Sequence, residues 1–217
     1  WRQGTFAFVA MDQIVNQAAK THYMLGGQTT FPSLYRAGVG GGGRSAAQHS
    51  QSPYSMFMNM AGLKIILAST PHDLKGLLKS AIRDNNPVIS FECNRLGAMK
   101  GPVPAAADDY TVPIGKADIK REGTDITIVA LAWQVHEALA AAEILDREGV
   151  SVEVLDPRTL VPMDADAIRT SVRKTGRLLV ADEAGPTCGA SAEIAMLGAA
   201  WVGSMTGMPR ASCSGLR

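Results

Sequence analysis

The residues best suited to chemistry are gathered in one stretch, 38–57, which reads GVGGGGRSAAQHSQSPYSMF. It holds five glycines beside small hydroxyl and amide side chains, and little that could fill a core. Glycine lets the backbone take φ > 0 or approach another group closely, at an entropic cost. A chain that accepts that cost next to His49, Ser50 and Gln51 is presenting those side chains to something. An imidazole is the side chain best suited to proton transfer near neutral pH. Spacing alone favours a plainer role, a ring nitrogen bonded to a backbone carbonyl. The other histidines have ordinary settings: His22 near a helix end, His136 within a helical pattern, His72 in a capped first turn.

Two other patterns compete for a function. Residues 38–45, GVGGGGRS, fit the phosphate-loop spacing G-x-x-x-x-G-K-[ST], except that Arg44 stands where lysine is required. Residues 177–183, RLLVADE, mimic the strand and acidic pair that hold magnesium in such NTPases. Arginine is not equivalent to lysine as a point charge on the phosphates. Four consecutive glycines are also looser than a preorganised phosphate nest. Asp84-Asn85-Asn86 offers oxygen donors within one turn, enough for a hard cation. A helix end before Pro87 explains the same residues.

The elements that must position these groups alternate. An apolar stripe at Met11, Ile14, Val15, Ala18 and Ala19 predicts a helix over 8–24, stopped by Gly26-Gly27. A strand is expected at 31–36, and a short helix capped by Ser52 with Pro53 in its first turn. Then come a strand at 63–68, a helix begun by Ser69 or Thr70 with Pro71 and Asp73, and a strand from 88 to 91. That helix should bury Leu74, Leu77, Leu78, Ala81 and Ile82. Residues 94–115 are proline- and alanine-rich and read as a linker. Beyond Gly123, strands at 126–131, 152–155 and 177–181 alternate with helices at 135–148, 164–174 and 190–200. Such alternation points to an α/β chain with parallel sheets covered on both faces. The second sheet is expected to have three strands and an open edge. Residues 202–217 follow neither pattern.

With 217 residues, 46% apolar and 19% charged, the chain is of ordinary globular composition. A net charge of +1 argues for neither nucleic acid nor an acidic membrane as partner. Three dispersed cysteines without a CxxC suggest neither a disulfide framework nor zinc, and favour a reducing compartment. Apolar runs are too short to span a bilayer.

Several long motifs together carry a resemblance. AMDQIVNQAAK, AAQHSQS, GLKIILASTPHDLKGLLKSAIRDNNPV, PIGKADIKREGTDITIV, VEVLDPRTL and KTGRLLVADEA are similar to the beta subunit of the thiamine-diphosphate-dependent component of 2-oxo acid and acetoin dehydrogenase complexes. The resemblance implies a transketolase-like pyrimidine-binding domain over 1–93, a linker over 94–120, and a transketolase-type C-terminal domain over 121–217, both domains incomplete. It implies an alpha subunit that holds the diphosphate and magnesium, in an alpha2beta2 heterotetramer, and a lipoyl-bearing acyltransferase as further partner. His49 matches the active-site histidine that gives a proton to the departing lipoyl thiolate. Phe6 matches an aromatic beside the cofactor's pyrimidine ring. In some members a potassium ion is held by the positions of Ser33, Ala81, Ile82, Asp84 and Asn86. The compartment implied is the bacterial cytoplasm or the mitochondrial matrix.

The family's glutamate for the pyrimidine N1′ falls upstream of residue 1, and the chain departs from the family after Trp201. A fragment inactive alone is therefore expected. The alternatives are a related transketolase-like enzyme, a non-catalytic partner completing an alpha subunit's site, or a degenerate phosphate-loop NTPase.

Overall fold

The computed structural model describes residues 3–43, 45–105 and 107–202. The expected helix at the start is a longer path of changing pitch. It is 3-10 over Gly4–Ala10, π over Gln13–Ala18 and α over Ala19–Met24 (α1). Ile14, Val15, Ala18 and Ala19 are buried, as their spacing requires. Strand β1 is Leu34–Val39, later than the sequence suggested, and runs into the glycine loop. Helix α2, Tyr54–Met58, is shorter than expected; Pro53 itself occupies its N-cap position and no side chain caps it, so Ser52 has no capping role.

Strand β2 is Lys64–Ile66 and β3 is Val88–Cys93, with α3, Pro71–Ile82, between them. Thr70 caps α3 by accepting the Asp73 N–H at 3.1 Å, and Pro71 follows in the first turn. That pattern was readable because the Thr70 hydroxyl satisfies an otherwise orphaned helix donor, the Asp73 N–H, and Pro71 has no N–H to leave orphaned. Leu77 and Ala81 are buried beneath it, whereas Ile82 faces outward at the helix end.

The second half holds β4 Asp118–Arg121, β5 Ile126–Ala130, α4 Gln134–Arg147, β6 Val152–Asp156, β7 Thr159–Val161, α5 Ala165–Thr175, β8 Leu178–Ala181 and α6 Ala190–Val202. Two four-stranded sheets result, in the orders β1-β3-β2-β7 and β4-β6-β5-β8. In each, three strands are parallel and the added one, β7 or β4, is antiparallel. The expected three-strand second sheet thus has a fourth strand, β4, that covers the free edge of β6. The first sheet borrows β7 from the far half of the chain.

The two halves share one core. Tyr54, Phe57, Ile65 and Phe91 from the first sheet's side pack in a continuous apolar cluster with Val129, Leu131, Leu155, Ile168 and Ile194. The proline-rich strap lies along α3, where Tyr110 and Val112 pack against Leu77 and Ala81. Ser80 donates to the Val112 carbonyl at 2.6 Å.

A charged clasp fastens the halves beside this core. The Asp73 carboxylate is 1% exposed and accepts from Lys120 at 2.5 Å, Arg158 at 3.1 Å and Thr70 at 2.8 Å. Asp156, fully buried, accepts from the Ser69 hydroxyl at 2.5 Å and the Arg158 N–H at 2.9 Å. Burial tends to raise the Asp73 pKa, but bonds from Lys120, Thr70 and Arg158 overcome it and hold the group at about 2. For Asp156 burial dominates, and its pKa is pushed up to about 6.

Candidate active site

Strand β1 delivers the chain to Gly40, where φ is +94°. The loop then closes on itself, the Gly40 N–H donating to the Gln51 carbonyl at 3.2 Å. Within it, Ala47–His49 form a single 3-10 turn. Ala46, just before that turn, has φ +69° and ψ 171°, a conformation that L residues rarely adopt and that costs roughly 1–3 kcal/mol. Arg44 lies outside the described residues.

His49 is the end of that turn. Its ring faces Phe6, with centroids 5.2 Å apart and planes tilted by 59°. The two residues are brought together by a tie between their segments: Thr5 Oγ1 donates to the Gln48 carbonyl at 2.6 Å. Phe6 remains 48% exposed, an aromatic face left beside an imidazole. The His49 Nδ1 is buried and has no hydrogen-bond partner among the described residues. Buried ring nitrogens are ordinarily paired, so this one is left over for a group outside the described residues.

The other histidines have partners. His22 Nδ1 meets the Thr29 carbonyl at 2.6 Å, and His136 Nε2 donates to the Ser69 carbonyl at 2.8 Å across the two halves. His72 stacks on Tyr110 at 4.9 Å. Those are the packing roles their sequence settings implied.

The phosphate-loop pattern does not fold as one. Gly38 and Val39 belong to β1, and Gly41–Gly43 and Ala47–His49 are short 3-10 turns rather than a helix N-terminus that could bind a phosphate. Asp182 and Glu183 do reach this loop, but through Tyr54, Gly40 and Cys93.

The possible cation donors are also close together, and they answer one another. Lys64 Nζ lies 2.5 Å from Asp84 Oδ2, while Asp84 Oδ1 accepts from the Asn86 backbone and side chain at 2.9 Å each. Those bonds outweigh partial burial and lower the Asp84 pKa. The Ser33 carbonyl accepts from Val88 N–H at 2.8 Å, and the Ala81 carbonyl from Asp84 N–H at 3.3 Å. Asp84 is therefore neutralised by Lys64.

Cysteines 93 and 188 are free thiols, buried and exposed respectively. Among the described residues no helix is long and apolar enough to cross a membrane.

This geometry, an imidazole at the carboxyl end of a parallel strand with an exposed aromatic beside it, sits in a chain whose two halves are each recognisable. Residues 2–98 match the transketolase pyrimidine-binding domain and residues 115–208 the transketolase C-terminal domain. The chain belongs to the transketolase-like family of paired α/β domains.

Within that family it is similar to beta subunits of dehydrogenase complexes. It is 51% identical over 192 residues to the beta subunit of acetoin:2,6-dichlorophenolindophenol oxidoreductase of Bacillus subtilis (strain 168), covering 88% of this chain and 56% of that one. It is 48% identical to the 2-oxoisovalerate dehydrogenase subunit beta of the same organism, over 82% of this chain and 54% of that one. For the mitochondrial pyruvate dehydrogenase E1 component subunit beta of Mus musculus the identity is 43%, over 87% and 53%. The chain thus spans just over half the length of these relatives. Among solved structures, a split-gene transketolase described as an inactive beta4 tetramer shares the fold, with a TM-score of 0.73 at 23% identity, covering 90% of this chain and 60% of that one.

Proposed function

We propose that the chain is the greater part of the beta subunit of a thiamine-diphosphate-dependent acetoin or 2-oxo acid dehydrogenase, and that it supplies the pyrimidine-facing side of the active site. The observation that carries this reading is the pairing of Phe6 with His49 and its orphaned Nδ1. Relatives named for acetoin, 2-oxoisovalerate and pyruvate support a substrate among acetoin and the 2-oxo acids.

The residues fit the cofactor. Phe6 offers an exposed face against which a heteroaromatic ring can pack. When bound, thiamine diphosphate supplies the nucleophilic carbon and the electron sink for breaking a carbon–carbon bond. His49 gives a proton to the sulfur that leaves when a lipoyl disulfide is opened. In this reading an alpha subunit holds the diphosphate and magnesium, the pair assembles as an alpha2beta2 heterotetramer, and a lipoyl-bearing acyltransferase takes the product. His49 lines none of the principal clefts of the described residues. In this reading the site is completed by the alpha subunit, and the chain is inactive alone. The reading also includes a potassium ion at Ser33, Ala81, Ile82, Asp84 and Asn86, where it would displace Lys64 from Asp84.

The test uses the full-length subunit paired with its alpha partner. His49→Ala should lower turnover with a lipoyl acceptor by roughly a hundred- to ten-thousand-fold. Reduction of an artificial one-electron acceptor, which needs no proton on sulfur, should fall much less. Equal losses in the two assays, or none in either, would remove His49 from this role.

A further inference from the structure

The loop that carries His49 is fastened at both of its stems to two adjacent acidic residues from the far half of the chain. At the entry stem, the Glu183 carboxylate packs so closely on Gly40 that a Cβ there would overlap its Oε1. The same oxygen accepts from the Cys93 thiol at 3.3 Å, on the strand next to β1. At the exit stem, the Tyr54 hydroxyl, five residues after His49, donates to Asp182 Oδ1. That oxygen also accepts the Ala184 N–H at 3.1 Å, whereas Asp182 Oδ2 is buried with no partner among the described residues.

Between the stems the backbone is in a costly state. The left-handed Ala46 conformation persists only where the surroundings over-determine it, and within the loop the His49 N–H reaches the Ala46 carbonyl at 3.2 Å. The Ser50 N–H reaches the Ala47 carbonyl at 3.4 Å, and Gln51 Nε2 the same oxygen at 3.5 Å. Burial and the neighbouring Asp182 push the Tyr54 phenol well above its ordinary range, and burial with Glu183 pushes the Cys93 thiol up to about 11. Both groups therefore stay protonated and act as donors.

We infer that Asp182 and Glu183 are positioning residues, which hold the His49 loop in register with Phe6 and so couple the C-terminal half of the chain to the active site. This rests on the role proposed for His49. It gives the acidic pair after β8 a purpose that its likeness to a magnesium site does not.

The experiment again uses the full-length subunit with its alpha partner, and has two readouts. Hydrogen exchange of the amides of residues 40–51 should quicken in Glu183→Ala and in Tyr54→Phe, while the amides of β5 and β6 keep their protection. Turnover with a lipoyl acceptor should fall on the order of 10- to 100-fold in Glu183→Ala, as expected for a misplaced catalytic group. Glu183→Gln, which keeps the length and the acceptor oxygen, should restore most of it. In a His49→Ala background the Glu183→Ala change should cost no more than about twofold, because it acts through a side chain already gone. Unchanged exchange at 40–51 overturns the inference, and so does an equal turnover loss in both backgrounds. If His49→Ala alone leaves turnover intact, the role of His49 fails, and with it the positioning role, whatever the exchange shows about the anchor.

Discussion

Two polar regions lie between the halves of this molecule, and they are built in opposite ways. Around Asp73 and Asp156, each carboxylate has several donors at hydrogen-bond distance, from Lys120, Arg158, Thr70 and Ser69. Around His49, a buried ring nitrogen has no partner among the described residues, an aromatic face is left open and a non-glycine residue sits at positive φ. A region whose polar groups are all answered from within the chain is doing structural work. One whose groups are left over, at a cost in strain, is arranged for something that arrives later. The contrast separates scaffold from site without reference to any relative.

The largest expected effect on stability is on the scaffold side. Lys120→Met leaves the buried Asp73 with Arg158 as its remaining permanent cation, beside the His72 ring at 3.5 Å, and should cost about 3–5 kcal/mol in chemical denaturation, the usual penalty for breaking a buried pair. A cost below about 1 kcal/mol would mean the clasp is no different from a surface pair, and the comparison would fail.

A smaller effect should be visible in pH dependence. Asp73 is depressed to about 2 from an ordinary 3.8, so its stabilisation is present above the ordinary value and is lost as pH falls from about 4 through 2. Asp156 is raised to about 6, so the folded state binds its proton first. Its contribution is complete below pH 3.8 and is lost as pH rises through 6. Asp156→Asn should therefore flatten that part of the stability curve between about pH 4 and 6 and leave the acid limb in place. An unaltered slope would show that Asp156 titrates as an ordinary carboxyl.

Smaller still is the Lys64–Asp84 pair, which is partly exposed and worth under about 1 kcal/mol. If potassium displaces Lys64, it should raise the melting temperature of the parent protein and leave Asp84→Ala unmoved, since a ligand stabilises only the state that binds it. The same response in both proteins would leave Asp84 as a turn residue.

Much of the fold was legible in the chain. The alternation of apolar strands with amphipathic helices after Gly123 is reproduced within a residue or two, and α3 begins at the cap that Thr70, Pro71 and Asp73 define. Strands β4 and β7 were not legible. Asp118–Arg121 has one apolar residue and pairs only along one edge, and Thr159–Val161 is three residues wedged between Pro157 and Pro162. Neither has the period-2 pattern that marks a strand, because pairing to a distant partner and not local patterning makes them strands. Of the site, the glycine loop and His49 stood out by composition. Phe6 did not, because nothing around it reports a ring 43 residues away; its place came from the family resemblance. The Asp182–Glu183 pair was read by its strand context, and its partners Tyr54 and Gly40 are more than a hundred residues upstream.

The most direct test is to watch the four histidines of this chain at once. With ring-labelled histidine in the full-length subunit and an unlabelled alpha partner, thiamine diphosphate should be titrated into the assembly and the ring signals followed. His49 should shift on saturation, while His22, His72 and His136, each held by a neighbour within the chain, should stay in place. A His49 signal that does not move while the cofactor binds would contradict the account at its centre.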